Sequence, residues 1–165
     1  MSHPLSPLFS PSSVAVIGAS STPGKSGYIF SKALLEGGYT GKVYPINPKG
    51  GEIDGYPMYK SISEIDGSID VALFLVNKKI AFETVKECAA HGVKYGVMYS
   101  AGFAEQDNVG KQMQLDMVKA ANEKGMRIVG PNCMGIYSAP MQLNLTGEFI
   151  PEGEIGMISQ SGNLG

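Results

Sequence analysis

A loop rich in glycine and hydroxyl side chains follows the first apolar segment of the chain. From Gly18 it reads Gly-Ala-Ser-Ser-Thr-Pro-Gly-Lys, and a helical pattern begins directly after it. Glycines let a backbone approach a ligand closely, while exposed amides, hydroxyl groups and the start of a helix attract phosphate oxygens. The loop therefore predicts a phosphate-binding site, with candidate contacts from Gly18, Ala19, Ser20, Ser21, Pro23, Gly24 and Lys25.

The same loop departs from the strict motif for dinucleotide binding. Ser20 stands where that motif has its second glycine, and the spacing onward to Gly24 and Gly27 is longer than the motif has. An ordinary glycine-rich turn between a strand and a helix, without a ligand, is the alternative interpretation. The ligand class must therefore be inferred from the loop together with other segments.

The turn after the second predicted strand carries a lysine and no acid. NAD-binding domains usually place an acid about 20 residues beyond the glycine loop, where it holds the ribose 2′-hydroxyl. Here the chain reads Asn-Pro-Lys from Asn47 to Lys49. A lysine at this place fits a ligand with an additional ribose phosphate, either coenzyme A (CoA) or NADP. Asn47 and Lys49 are therefore candidate ligand contacts, although a solvated turn lysine is the alternative.

The elements that must position these residues alternate between strand and helix. Short apolar runs predict strands at 13–17, 42–46, 71–76, 93–99 and 126–129. Amphipathic patterns predict helices between them, at 26–36, 80–90 and 109–124. Strands this apolar are typical of a parallel sheet with helices on both faces. The sequence thus predicts a doubly wound α/β fold, in which ligands bind beyond the carboxyl ends of the strands.

Composition limits the partners that the chain can have. Its 165 residues are 43% hydrophobic and 17% charged, enough for one ordinary domain, and 13 basic against 15 acidic residues give a net charge of −2. This charge balance gives no support for nucleic acid or an anionic membrane surface as a partner. Cys88 and Cys133 are too few for a disulfide framework and show no metal-ligand spacing with His3 or His91. We expect a soluble cytoplasmic protein without a bound metal.

Five segments carry a more specific signal, and they occur in this order: SVAVIGASSTPGKSGY, GKVYPINPK, VKYGVMYSAGFAE, GMRIVGPNCMGIY and GEIGMISQSGNLG. Together they closely resemble the ADP-forming (NDP-forming) acetyl/acyl-CoA synthetases and, more distantly, the α subunit of succinyl-CoA synthetase. The resemblance extends from about Leu8 to Gly165. It implies a Rossmann-like, CoA-binding domain.

The resemblance also implies roles for individual residues. The glycine loop would wrap the CoA phosphates, and Lys49 would contact the nucleotide portion. The ends of the third and fourth strands would line the path of adenosine and pantetheine, through Val76, Asn77, Ser100, Ala101 and Gly102. Family members commonly have Val-Pro where this chain has Val76-Asn77, followed by Lys78-Lys79. Asn132 and Cys133 would lie near the CoA thiol, with a small buried apolar side chain as the alternative role of Cys133.

The resemblance further divides the chain. Residues 1–12 are predicted as a tail, 13–150 as the CoA-binding domain, and 151–165 as a linker with the first strand, at 154–158, and the helix start of a succinyl-CoA-ligase-like domain. In the family that helix start binds a phosphoryl group, which makes Ser159, Ser161 and Gly162 candidate phosphate contacts. We therefore expect the remaining synthetase domains, or a β subunit, as partners; an oligomer is also compatible with the resemblance.

The implied activity is an acid–thiol ligase reaction, in which acid, CoA and ATP give acyl-CoA, ADP and phosphate through an acyl phosphate and a phosphohistidine. Neither His3, in the polar tail, nor His91, at a helix end, matches the family's histidine, so no catalytic residue is assigned. ATP or ADP and Mg²⁺ are expected only on the missing domains, and this chain alone should be inactive. A stand-alone CoA- or NAD(P)-binding regulatory module is the alternative.

Overall fold

The computed structural model of the chain describes residues 3–146 and 153–160. In chain order the strands are β1 Ser13–Ile17, β2 Lys42–Ile46, β3 Glu52–Ile53, β4 Tyr56–Pro57, β5 Val71–Phe74, β6 Tyr95–Met98, β7 Arg127–Val129, β8 Tyr137–Ser138 and β9 Leu143–Asn144. The helices are α1 Ser6–Phe9, α2 Ser26–Glu36, α3 Lys78–Ala90 and α4 Asn108–Asn122. Short 3-10 turns occupy Ile62–Glu64 and Ala139–Met141.

Five parallel strands form one sheet in the order β2-β1-β5-β6-β7. After β1 the chain moves to β2 on one side, and it then crosses to β5 on the other side. In open α/β sheets, ligands bind at such a reversal of strand order, in the crevice beyond the carboxyl ends of the strands. The predicted doubly wound α/β fold is confirmed, and the reversal lies between β1 and β5.

The sheet is buried on both faces, which explains why its strands are so apolar. One face packs against α3 and α4, with a core that includes Ala15, Phe74, Val85 and Met117. The other face packs against α2 and β9, with a core that includes Val16, Leu34, Leu73, Val97 and Leu143. All five residues of β1 are buried. Alternate residues of one strand thus serve two separate cores.

The predicted elements agree with the structure except at some ends and at one segment. β1, β2 and α2 have the predicted bounds. α3 begins two residues earlier than predicted, because the Asn77 side chain caps it by accepting a hydrogen bond from the Lys79 amide at 3.0 Å. Asp107 caps α4 in the same way through the Gly110 amide, at 2.7 Å.

No strand forms at the predicted 154–158 in this structure, and the further domain that this strand would begin stays a prediction. Residues 153–160 are in neither a helix nor a strand. Ile155 is 93% exposed, and Ile158 is fully exposed. A strand requires a neighbour that receives its backbone hydrogen bonds. Within the described residues, the sheet ends at β2 and β7, and neither of these strands pairs with this segment.

The amino ends of three strands are held together by one carboxylate. Asp70, directly before β5, is 6% exposed. It accepts hydrogen bonds from the Ser12 amide at 2.7 Å, the Ser12 hydroxyl at 2.5 Å and Lys94 Nζ at 2.6 Å. Burial alone would raise the pKa of Asp70, but the hydrogen bonds from Lys94 and Ser12 outweigh it and lower the pKa. Asp70 therefore links the segments that precede β1, β5 and β6 at the amino edge of the sheet.

Replacing Asp70 by asparagine should lower the free energy of unfolding by about 1–3 kcal/mol at neutral pH. Because the folded-state pKa is lowered, the contribution of the carboxylate is complete above the unfolded-state value of about 3.9 and is lost as the pH falls through the folded-state pKa. The difference in the free energy of unfolding between the unaltered chain and the variant should therefore become smaller in acid, as measured by urea unfolding across pH. Asp66→Asn, at an exposed carboxylate, is the control. A deficit that does not change with pH would contradict this role.

Candidate functional site

A cavity of about 480 Å³ opens at the carboxyl ends of β5 and β6, beside the start of α2. Five residues predicted from the sequence line it: Val76, Asn77, Ser100, Ala101 and Gly102. Ser26, the first residue of α2, also lines it, so the cavity adjoins the glycine loop. The location agrees with the reversal of strand order, where this class of fold binds its ligands.

The glycine loop leaves β1 against the backbone of the neighbouring strand. Gly18 has a φ of +93°, and a Cβ atom placed on it would lie 2.8 Å from the Leu75 carbonyl oxygen. Its amide donates to the Ile46 carbonyl at 3.1 Å. A Cβ atom on Gly27, in the first turn of α2, would clash with the Gly18 carbonyl oxygen. Both positions require glycine, and together they set α2 close to the end of β1.

The rest of this loop is exposed. Residues 21–26 are all exposed, and a Cβ atom added to Gly24 would meet nothing within 4 Å. Lys25 precedes α2 and makes no capping hydrogen bond through its side chain, whereas α3 and α4 each have one. The first amides of α2 are thus not covered by a side-chain cap, and the start of a helix favours an anion.

Asn47 joins the glycine loop to the turn after β2. Its side-chain amide donates to the Ala19 carbonyl at 2.7 Å, and its side-chain oxygen accepts from the Lys49 amide at 2.9 Å. The side chain of Lys49 is exposed. The two segments that the sequence suggested as separate phosphate contacts are therefore one connected unit, in which Asn47 supports the loop and Lys49 is left accessible.

At the end of β6, a carboxylate occupies the amides that follow the strand. Glu105 accepts from the Gly102 amide at 2.5 Å and from the Phe103 amide at 3.2 Å. These backbone hydrogen bonds, with a smaller contribution from the charge of Lys78, lower the pKa of Glu105. The Ser100 hydroxyl donates to the Val76 carbonyl. A ligand contact at Gly102 would therefore not use its amide, which already has a partner.

The turn after β7 approaches the same edge. The Asn132 amide donates to the Ser100 carbonyl at 2.9 Å, and Asn132 is exposed with a φ of +54°. Cys133 is partly buried, and its thiol donates to the Met98 carbonyl at 3.2 Å. Burial raises the pKa of the Cys133 thiol, which keeps it protonated near neutral pH. This environment favours a packing role for Cys133 over a nucleophilic one.

Other residues considered from the sequence lie elsewhere. His91 follows the last turn of α3, roughly 20 Å along the helix from the cavity by the rise per residue. Its Nε2 atom is buried without a hydrogen-bond partner among the described residues. Cys88 is fully buried, which raises the pKa of its thiol to about 12. Ser159 lies in the exposed segment 153–160, while Ser161 and Gly162 fall outside the described residues.

Lys78 and Gln106 are among the cavity-lining residues that were not predicted from the sequence. The Lys78 ammonium group donates to the Gly102 carbonyl at 3.1 Å and to Gln106 Oε1 at 2.9 Å. The place of Lys78, just beyond the residues Val76 and Asn77 that were predicted to contact the ligand, is a signal that could have marked it. Gln106 carries no such signal, because only the folded chain brings it to Lys78.

The model of the CoA binding domain family matches residues 12–139. The chain belongs to this family. It is 45% identical over 98% of its length to the α subunit of an ADP-forming acetate–CoA ligase (I) of Pyrococcus furiosus, and 30% identical over 86% of its length to the α subunit 2 of an ADP-forming succinate–CoA ligase of Archaeoglobus fulgidus. It spans 36% and 49% of those proteins.

A solved structure has the same fold. It is the dinucleotide-forming acetyl-coenzyme A synthetase 1 of Candidatus Korarchaeum cryptofilum in complex with phosphate and ADP, with a TM-score of 0.90 and 38% identity. The match covers 97% of this chain and 34% of that one. The CoA binding domain therefore accounts for about a third of several of its longer relatives. Over residues 3–146 and 153–160, no helix is long and apolar enough to cross a membrane.

Replacing Asn47 by aspartate should destabilise the chain by about 1–3 kcal/mol, because the donor to the Ala19 carbonyl is lost and two acceptors face each other. Asn108→Asp, at the exposed start of α4, is the matched control and should not destabilise the chain, because the start of a helix favours a negative charge. Urea unfolding at pH 7 measures both variants. Equal free energies of unfolding for the Asn47→Asp variant and the control variant would show that the glycine loop does not depend on Asn47.

Proposed function

We propose that the chain binds CoA or acyl-CoA along the carboxyl edge of its sheet, as part of an ADP-forming acyl-CoA synthetase. The observation that carries this proposal is the convergence of three features at one edge. These are a helix start without a side-chain cap, a glycine loop joined to an exposed lysine, and a cavity at the ends of β5 and β6. Membership in the CoA binding domain family supports it.

Each part of the site suits a different part of CoA. The exposed loop from Ser21 to Lys25 and the first amides of α2 suit the diphosphate, since a helix start and a lysine both favour anions. Lys49 suits the 3′-phosphate, because no acid lies at the end of β2 to hold a ribose hydroxyl instead. The ends of β5 and β6 suit adenosine and pantetheine, and Asn132 lies beside Ser100 where the thiol would arrive.

The wider activity belongs to a longer protein. The lengths of the more similar curated relatives favour a synthetase over a stand-alone binding module, since this chain matches about a third of an acetate–CoA ligase subunit. In this proposal the other domains, or a β subunit, supply the phosphohistidine and bind ATP or ADP with Mg²⁺. Ser159, Ser161 and Gly162 would contact the phosphoryl group there. The chain alone would form no acyl-CoA, and its location would be cytoplasmic.

The chain should bind CoA in preference to NAD. The reason is the lysine at the end of β2, which offers a partner to a ribose phosphate and none to a ribose hydroxyl. Titration calorimetry at one ionic strength compares the affinities of the chain for CoA, NADP and NAD. Binding of NAD that equals or exceeds that of CoA would overturn the proposal, and binding of NADP alone would favour the regulatory alternative.

Replacing Lys49 by alanine should weaken the binding of CoA by about 1–3 kcal/mol, the range for a hydrogen bond to a charged group. Dephospho-CoA lacks the 3′-phosphate, so its binding should hardly change. Lys42→Ala is the matched control, because Lys42 is an exposed lysine at the opposite end of β2. Equal losses for the two ligands would place Lys49 on another part of CoA or in solvent.

A further inference from the structure

Lys78 is a charged side chain held at the wall of the carboxyl-edge cavity. It is the first residue of α3, and it is only partly exposed. Among the described residues that line this cavity, it alone carries a charge. An ammonium group inside a binding cavity, held by the protein rather than free in solvent, provides a fixed positive charge for an anionic ligand.

The hydrogen bonds of Lys78 fix its position through uncharged acceptors, while the carboxylate of Glu105 is close enough for the charge of Lys78 to help lower its pKa. Its ammonium group donates to two uncharged acceptors, the Gly102 carbonyl and Gln106 Oε1. The salt bridges of the described residues join lysines 32, 86 and 94 to carboxylates, and none of them involves Lys78. The nearby Glu105 directs its two oxygens to the amides of Gly102 and Phe103. An ammonium group has three donors, so one remains for a ligand.

The location of Lys78 favours the diphosphate of CoA over the 3′-phosphate. Ser26, at the start of α2, and Lys78 line the same cavity, so one ligand in this cavity is within reach of both. Lys49 follows β2, which lies on the other side of β1 from β5. The two lysines therefore flank β1 and suit two different phosphate groups of one ligand.

We propose that Lys78, held by Gly102 and Gln106, binds the diphosphate of CoA in the cavity that Ser26 also lines. This inference rests on the proposed function, because it assigns a further contact within the same site. Lys78 and Lys49 then divide the ligand between them: Lys78 recognises the diphosphate, and Lys49 recognises the 3′-phosphate. The charge of Lys78 is the property that matters, and its hydrogen bond to Gly102 serves to position it.

The test compares Lys78→Met, which keeps most of the length of the side chain but loses the charge, with Lys79→Met. Lys79 is the next residue, is exposed and carries the same charge, so the second variant is a matched control. Titration calorimetry uses CoA, dephospho-CoA and pantetheine, which has no phosphate. Lys78→Met should lower the affinities for CoA and dephospho-CoA equally, by on the order of ten- to a hundred-fold, and should leave the affinity for pantetheine unchanged. Lys78→Arg should restore most of the affinity.

Three results would overturn this inference while leaving the proposed function intact. Equal affinities of the Lys78→Met and Lys79→Met variants for CoA would show that Lys78 makes no contact. A loss of affinity for CoA but not for dephospho-CoA would assign Lys78 to the 3′-phosphate. An equal loss for pantetheine would show that Lys78 acts only by holding the loop at Gly102. If the unaltered chain binds none of the three ligands, the proposed function itself fails, and this inference fails with it.

Discussion

The close approach of the Gly18 backbone to Leu75 is the constraint on which the site depends. β1 lies between β2 and β5, so the chain that leaves it must turn within a narrow space. Any side chain at Gly18 would meet the Leu75 carbonyl, and any side chain at Gly27 would meet Gly18. With glycine at both positions, α2 begins directly above the reversal of strand order. The first residue of α2 then lies at the wall of the carboxyl-edge cavity.

The two edges of the sheet differ in how their charged side chains are paired, which fits the proposal that the carboxyl edge binds the ligand. At the amino edge, Asp70 is buried and accepts hydrogen bonds from Ser12 and Lys94, so its charge is paired within the protein. At the carboxyl edge, Lys49 is exposed, and Lys78 contacts only uncharged acceptors. Positive charge therefore remains available at the edge where a doubly wound sheet binds its ligands.

The sequence predicted more of the sheet than of the lining of the carboxyl-edge cavity. Buried strands are short apolar runs, so β1 and β2 could be bounded from their residues alone. The segment at 154–158 shows the limit, because its apolar pattern does not supply a neighbouring strand. Lys78 was missed for a similar reason: its acceptors, in Gly102 and Gln106, are 24 and 28 residues away in the chain. Contacts of this kind depend on how the folded chain places the start of α3 against the loop between β6 and α4.

The central claim is that one edge of the sheet binds CoA and the other only stabilises the fold. Amide chemical shifts, recorded by NMR during a titration with CoA, test it most directly. The account predicts the largest shifts at Ser21 to Lys25, Lys78 and Ala101, with those of Ser12, Asp70 and Lys94 unchanged. Shifts confined to the second cavity of the chain, of about 450 Å³ beside Ser61 and His91, or an unchanged glycine loop at saturating CoA, would contradict it.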